Sequence, residues 1–77
     1  MGLDGDKFQK IREKLGLSRE EAAEIFGLSG YMAISNIENG TRNAGPTLVV
    51  ILRTLDAIPL KRALQIIELI KKHGSTP

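Results

Sequence analysis

Seventy-seven residues, 42% of them hydrophobic and none cysteine, describe one small packed domain and exclude disulfides and cysteine-based zinc sites. Eleven Lys and Arg against nine Asp and Glu leave a formal charge of +2, which is too slight to mark a nucleic-acid binder by itself. No apolar run approaches the roughly 18–20 residues of a membrane span, and the start, MGLDGDKF, has neither the basic nor the apolar region of a secretory leader. The expectation is a cytoplasmic protein with no cofactor. The one histidine, His73, has no second histidine to pair with at a metal.

Residues 1–5 read as a flexible N-terminus, because two glycines flank Asp4. A first helix is expected from near Asp6, an N-cap residue type with Gln9 at capping-box spacing. Phe8, Ile11 and Leu15 form its apolar stripe, Gly16 ends it, and Leu17 turns back to the core. Lys7, Lys10 and Lys14 lie off the stripe. They are either a solvated face or a face near a phosphate backbone.

Residues 18–40, SREEAAEIFGLSGYMAISNIENG, organise the rest. Ser18 and Glu21 make a capping box, so a second helix is expected over 19–26. Ala22, Ala23 and Phe26 give its stripe, and Gly27 suits a left-handed stop. Small alanines fit a steep crossing of two helices joined by a short turn. Glu20, Glu21 and Glu24 complement the first turn of a helix better than they suggest a metal site. A third helix is expected over 30–39, capped by Ser29 or Gly30, with Ala33, Ile34 and Ile37 inward. That register turns Met32, Ser35, Asn36 and Asn39 outward, with Tyr31 at the edge. An uncharged hydrogen-bonding face is unusual for a solvated helix. Asn pairs well with adenine, Ser with either partner, and Met packs on a thymine methyl.

The segment 40–45, GTRNAG, is a loop. It imitates the start of a phosphate loop, but Pro46 stands where the lysine belongs and the preceding element is a helix. A fourth helix should begin at Pro46, with Leu48, Ile51, Leu52 and Leu55 in the core and Val49 and Val50 widening the apolar surface. Ile58 and Pro59 break the chain. A fifth helix is expected over 60–72 on the stripe Leu60, Ala63, Leu64, Ile67 and Ile70, broadened by Ile66 and Leu69. Residues 73–77 read as a flexible tail. The fold class is all-α, with one domain over 6–72.

Residues 11–57 resemble the phage Cro/cI-type helix-turn-helix domain, also called the XRE family. The most specific pieces are REKLGL from Arg12, the run from Ser18 to Ala23, and ISNIENG from Ile34. EAAEIFG and the later LRTLD are also similar to the DNA-binding half of MqsA-type antitoxins. The resemblance implies a compact five-helix bundle of the lambda-repressor-like type, operator binding as a dimer, and repression. It also implies that Arg12 and Glu38 pair, orienting the arginine toward a phosphate. The chain departs from the pattern at Arg19, where the family usually has Gln. An arginine there can hold phosphate or reach guanine bidentately. The turn over 27–33 is one residue longer than usual, which leaves the register of Gly30, Tyr31 and Met32 open.

The expected function is a sequence-specific DNA-binding regulator, a repressor or antitoxin-type autoregulator, and not an enzyme. The expected DNA contacts are Arg19, Gly30, Tyr31, Met32, Ser35, Asn36, Asn39, Arg42 and Asn43. A homodimer is expected through Val49, Val50, Ile66, Leu69 and Ile70, because the apolar arc is wider than one core needs. The alternative is an interaction module that holds a toxin or another partner through the fourth and fifth helices. Basic residues around the third helix favour DNA. Dominance there by Glu20, Glu24 and Glu38 favours the protein partner.

Overall fold

A computed structural model of the chain describes residues 3–74. It holds five helices: α1 (Gly5–Lys14), α2 (Arg19–Ile25), α3 (Tyr31–Glu38), α4 (Pro46–Ala57) and α5 (Leu60–Gly74). Among the described residues there is no strand. The all-α five-helix reading therefore stands. The ends expected to be flexible include residues 1–2 and 75–77, which lie outside the described residues.

The helix ends follow local chemistry. The Ser18 hydroxyl accepts the Glu21 N–H at 3.0 Å, and the Glu21 carboxylate accepts the Ser18 N–H at 3.0 Å. Both halves of the capping box are thus made. At the other end of α2, Gly27 has φ +71°, and the Leu28 N–H reaches back to the Ala23 carbonyl at 2.8 Å. This Schellman closure turns the chain sharply toward α3. Pro46 opens α4, as its fixed φ favours.

Helix boundaries differ from expectation in places: α5 continues to Gly74, taking in two residues read as tail, α3 is one residue shorter at each end than 30–39, and α1 begins early. The N-cap of α1 is Asp4, not Asp6, and its carboxylate accepts the Lys7 N–H at 2.9 Å. The helix therefore begins at Gly5, inside the stretch expected to fray. The cause is tertiary. Gly5 lies directly on the end of α3, and a Cβ there would overlap the Glu38 carbonyl oxygen and sit 2.7 Å from its carbon. Two glycines that signal disorder in sequence here include one selected by close approach.

The core joins all five helices around Phe8, Ile34 and Leu52, each fully buried. Ala22 and Ala23 are buried where α2 crosses α3, the closest helix pair in the domain. On α4, Leu48, Leu52 and Leu55 are inward as expected, but Ile51 is 37% exposed. Val49, expected on a surface between copies, is instead 6% exposed. It lies three residues before Leu52 and shares its face. On α5 the inward residues are Ala63 and Ile67, while Leu60 and Leu64 are exposed. The inward face of α5 is thus narrower than its apolar stripe. Ion pairs add cross-links: Asp56 on α4 meets Lys7 and Lys14 of α1, and Lys71 on α5 meets Glu21 of α2.

Candidate nucleic-acid interface

The site is built where α1, α2 and α3 meet. The Glu38 side chain, on the last turn of α3, is only 4% exposed. Arg12 of α1 donates from Nε to Glu38 Oε2 at 2.5 Å and from Nη1 to the Leu17 carbonyl at 2.8 Å. Its side chain is 8% exposed, so it faces the interior. Arg19, the first residue of α2, donates from Nε to the other Glu38 oxygen at 3.0 Å, and its side chain is 45% exposed. One carboxylate thus serves two arginines, an inner and an outer one. Charge-assisted bonds of this kind are short and strong, and here they satisfy a charge that burial would otherwise penalise. Among the described residues no buried side-chain N or O lacks a hydrogen-bond partner.

The outward face of α3 carries Tyr31 at 52% and Met32 at 55% exposure, followed by half-buried Ser35 and Asn36. Gly30 is the N-cap, in an extended conformation that any residue adopts, so the register is fixed: Tyr31 is the first helical residue. After α3 the chain folds back. The Arg42 N–H donates to the Asn36 carbonyl at 3.0 Å, and the Asn39 carboxamide oxygen accepts the Thr41 N–H at 2.9 Å. Arg42 and Asn43 are exposed on this loop. Lys10 lines a polar cleft with Asp4, Asp6, Glu38, Asn39 and Gly40. At the other end of α3, Glu20 and Glu24 flank the turn beside Ser29, Gly30 and Tyr31.

A family model described as the antitoxin component of the bacterial toxin–antitoxin system, MqsA, matches residues 1–74. The chain belongs to the MqsA antitoxin family. It is 44% identical over 50 residues to the antitoxin MqsA of Escherichia coli strain K12. That match covers 65% of this chain and 37% of the relative, so the chain corresponds to a minor part of that protein's length. No solved structure matches significantly.

Within this family member, Gly30 caps α3 and the other residues expected at DNA fall into three groups. Tyr31, Met32, Ser35 and Asn36 share the outward face of α3. Arg19, Arg42 and Asn43 lie on the elements that flank it. Asn39 is exposed, but its oxygen is committed to the loop, where it forms an Asx-type turn. The Arg12–Glu38 pair forms, yet Arg12 points inward and its Nε and Nη1 donate within the protein, so the orientation toward a phosphate implied by the resemblance does not apply to it. The third partner, Arg19, was not foreseen in this role. The signal in sequence was Arg19 itself, since an arginine at the start of α2 adds a charge that a buried Glu38 can share.

The acidic cluster of α2 resolves into separate tasks. Glu21 belongs to the capping box, and its carboxyl is held below the ordinary range chiefly by the Ser18 N–H, with Lys71 assisting. Among the described residues no group of three or more Asp, Glu or His is placed to hold a metal. No helix there is long and apolar enough to cross a membrane.

Proposed function

We propose that this domain binds double-stranded DNA with α3 in the major groove, as a non-enzymatic antitoxin-type regulator of transcription. The observation that carries this reading is the face of α3. Tyr31, Met32, Ser35 and Asn36 stand outward without a formal charge, while Lys10, Arg19 and Arg42 stand on the surrounding elements. Uncharged polar side chains read base edges, and flanking cations hold the backbone. Glu38 does not count against this, because two arginines neutralise it.

The domain acts as a two-fold dimer in this reading. Val50 is 63% and Leu69 55% exposed, and Ile51 and Ile70 line a groove of about 470 Å³ that also takes in Ile25, Phe26 and Leu28 at the end of α2 and Arg42 and Asn43 of the α3–α4 loop. A second copy covers such surface and sets two copies of α3 one DNA turn, about 34 Å, apart. Val49 has no part in this contact. The family description names a toxin–antitoxin system. A toxin seated on the same exposed apolar residues of α4 and α5 is the second reading, favoured by the exposure of Val50, Leu60, Leu64 and Leu69.

The deciding experiment is a titration of the duplex upstream of the protein's own gene. Asn36→Ala should cost about 1–3 kcal/mol and relax the choice of one base. Arg42→Ala should weaken all sequences alike and lower the salt slope by roughly one unit. No effect from either substitution refutes α3 as the reading helix.

A further inference from the structure

Glu38 is an acidic residue at the end of the proposed reading helix, next to the surface that faces DNA. By charge alone it opposes binding. The geometry points the other way, and we infer that Glu38 is a positioning residue for DNA binding that acts through Arg19. This rests on the DNA-binding reading above. The two arginines of the cluster are not equivalent. Arg12 uses Nε on Glu38 and Nη1 on the Leu17 carbonyl, with its side chain 8% exposed. Arg19 uses Nε on Glu38, and its side chain is 45% exposed.

A guanidinium is planar, so fixing Nε fixes the direction of the whole fork. With Nε turned to Glu38, the Nη edge of Arg19 points away from the carboxylate. That edge is the one that pairs bidentately with two phosphate oxygens. Free in solution, an arginine side chain loses about 2 kcal/mol of rotamer freedom on docking. Anchoring it beforehand removes part of that cost from binding. The carboxylate is itself immobile. It is buried, held from the other side by Arg12, and carried on the last turn of α3. The outer arginine on α2 is therefore registered to the reading helix, although the two lie on different elements. A phosphate gripped by Arg19 fixes where α3 stands in the groove.

The cluster also divides the work. Arg12 compensates the buried carboxylate and closes α1 through the Leu17 carbonyl. Arg19 is not needed for that compensation. Its removal should leave the fold intact, whereas removal of Glu38 touches both fold and binding.

The test uses anisotropy titrations of the intact chain on a random-sequence duplex of about two helical turns, at several salt concentrations. Phosphate contacts are independent of sequence, so no operator is required. Arg19→Ala should lower affinity about tenfold and reduce the salt slope by roughly one. Glu38→Gln removes one negative charge yet should also weaken binding, and in that background Arg19→Ala should cost about threefold or less. Melting curves verify that each variant is folded at the titration temperature. Arg19→Lys preserves both charge and fold and should bind about threefold or more weakly than wild type, because its ammonium carries no fixed fork. Tighter binding by Glu38→Gln, independent effects of the two substitutions, or wild-type affinity of Arg19→Lys each overturns the inference. Where Glu38→Gln does not fold, Arg19→Lys decides alone. If the wild type fails to bind any duplex at low salt, the DNA reading itself falls and takes this inference with it. If the wild type binds and Arg19→Ala is silent, only the inference falls.

Discussion

Replacing Gly5 by alanine sets two local effects against each other, and the structure decides which wins. Gly5 is the first residue of α1, and alanine is the better helix former by up to about 1 kcal/mol in a helix interior. Propensity alone therefore predicts a more stable protein. The structure predicts the reverse. The new Cβ would overlap the Glu38 carbonyl oxygen, lie 2.7 Å from the Glu38 carbonyl carbon and 2.9 Å from the Ile37 oxygen. All three are backbone atoms at the end of α3, so no side chain can swing aside. Either α1 lifts from α3 or the last turn of α3 distorts. Overpacking of this kind costs about 1–3 kcal/mol. Subtracting a propensity gain that is smaller at a helix end leaves about 1–2 kcal/mol of net loss. For a domain of this size that lowers the melting midpoint by about 4–16 °C. Circular-dichroism melts and urea titrations at neutral pH read it directly. A Gly5→Ala protein as stable as wild type, or more so, refutes the close packing of α1 on the end of α3.

Four further outcomes are expected. Glu38→Ala should cost about 3 kcal/mol in urea unfolding, because it leaves the buried Arg12 with only the exposed Glu13 carboxylate, at 3.8 Å, as counter-charge. Asp56 is held below the ordinary carboxylate range chiefly by its hydrogen bond from Lys14, with Lys7 adding to it. A depressed folded-state value means that its stabilisation is complete above the ordinary range, roughly pH 4, and lost as pH falls through the folded value. Asp56→Asn should therefore flatten the acid limb of stability against pH below about 4, and an unchanged limb refutes the α1–α4 link. Raising salt should weaken this exposed link and leave the buried Arg12–Glu38 bond largely unaffected, which a double-mutant cycle at two ionic strengths resolves. Leu69→Lys should convert a dimer to monomers in sedimentation at micromolar concentration, and a wild type that is already monomeric refutes the dimer.

The sequence was most legible where one residue type has one physical use. Ser18 with Glu21, Gly27 at positive φ and Pro46 at a first helical turn each admit few alternatives, and all three lie where their chemistry requires. The apolar stripes of α1 and α3 were equally clear, since Phe8, Ile11, Leu15, Ile34 and Ile37 repeat with one period and no surplus. Where apolar residues exceed one stripe, periodicity stops discriminating. In α4 it assigned Ile51 inward and Val49 outward, and the packing reversed both. Nothing local separates the two, because the choice depends on which side α1 and α5 approach. The start of α1 failed for a related reason. Asp4 and Asp6 are both good caps, and the close approach of Gly5 to Glu38 spans more than thirty residues of sequence. The Arg12–Glu38 pairing came from resemblance, whereas the place of Arg19 needed coordinates.

Helix α3 has eight residues, far fewer than the roughly 12–15 at which an isolated helix becomes even marginal in water. Its outward face helps little, because Tyr31 and Met32 are more than half exposed and Ser35 and Asn36 are only half-buried. Its conformation is therefore imposed from behind and from both ends. Ala33, Ile34 and Ile37 bury its inner face. Gly27 sets the direction of the chain that enters it, while the Asn36 carbonyl ties the loop that leaves it to the Arg42 N–H. Gly5 presses on its final carbonyls, and Glu38 binds it to α1 and α2 at once. Each restraint acts on backbone or on buried atoms, leaving Tyr31 and Met32 exposed and Ser35 and Asn36 only half-covered. A short helix held in this way loses little further freedom on binding, so contacts made by its outer face convert into affinity with a smaller ordering cost. The same arrangement makes the outer face the tolerant part of the domain. Substitutions at Met32 or Ser35 should change what is bound without changing whether the protein folds, and a melt that tracks binding across such variants would contradict this separation.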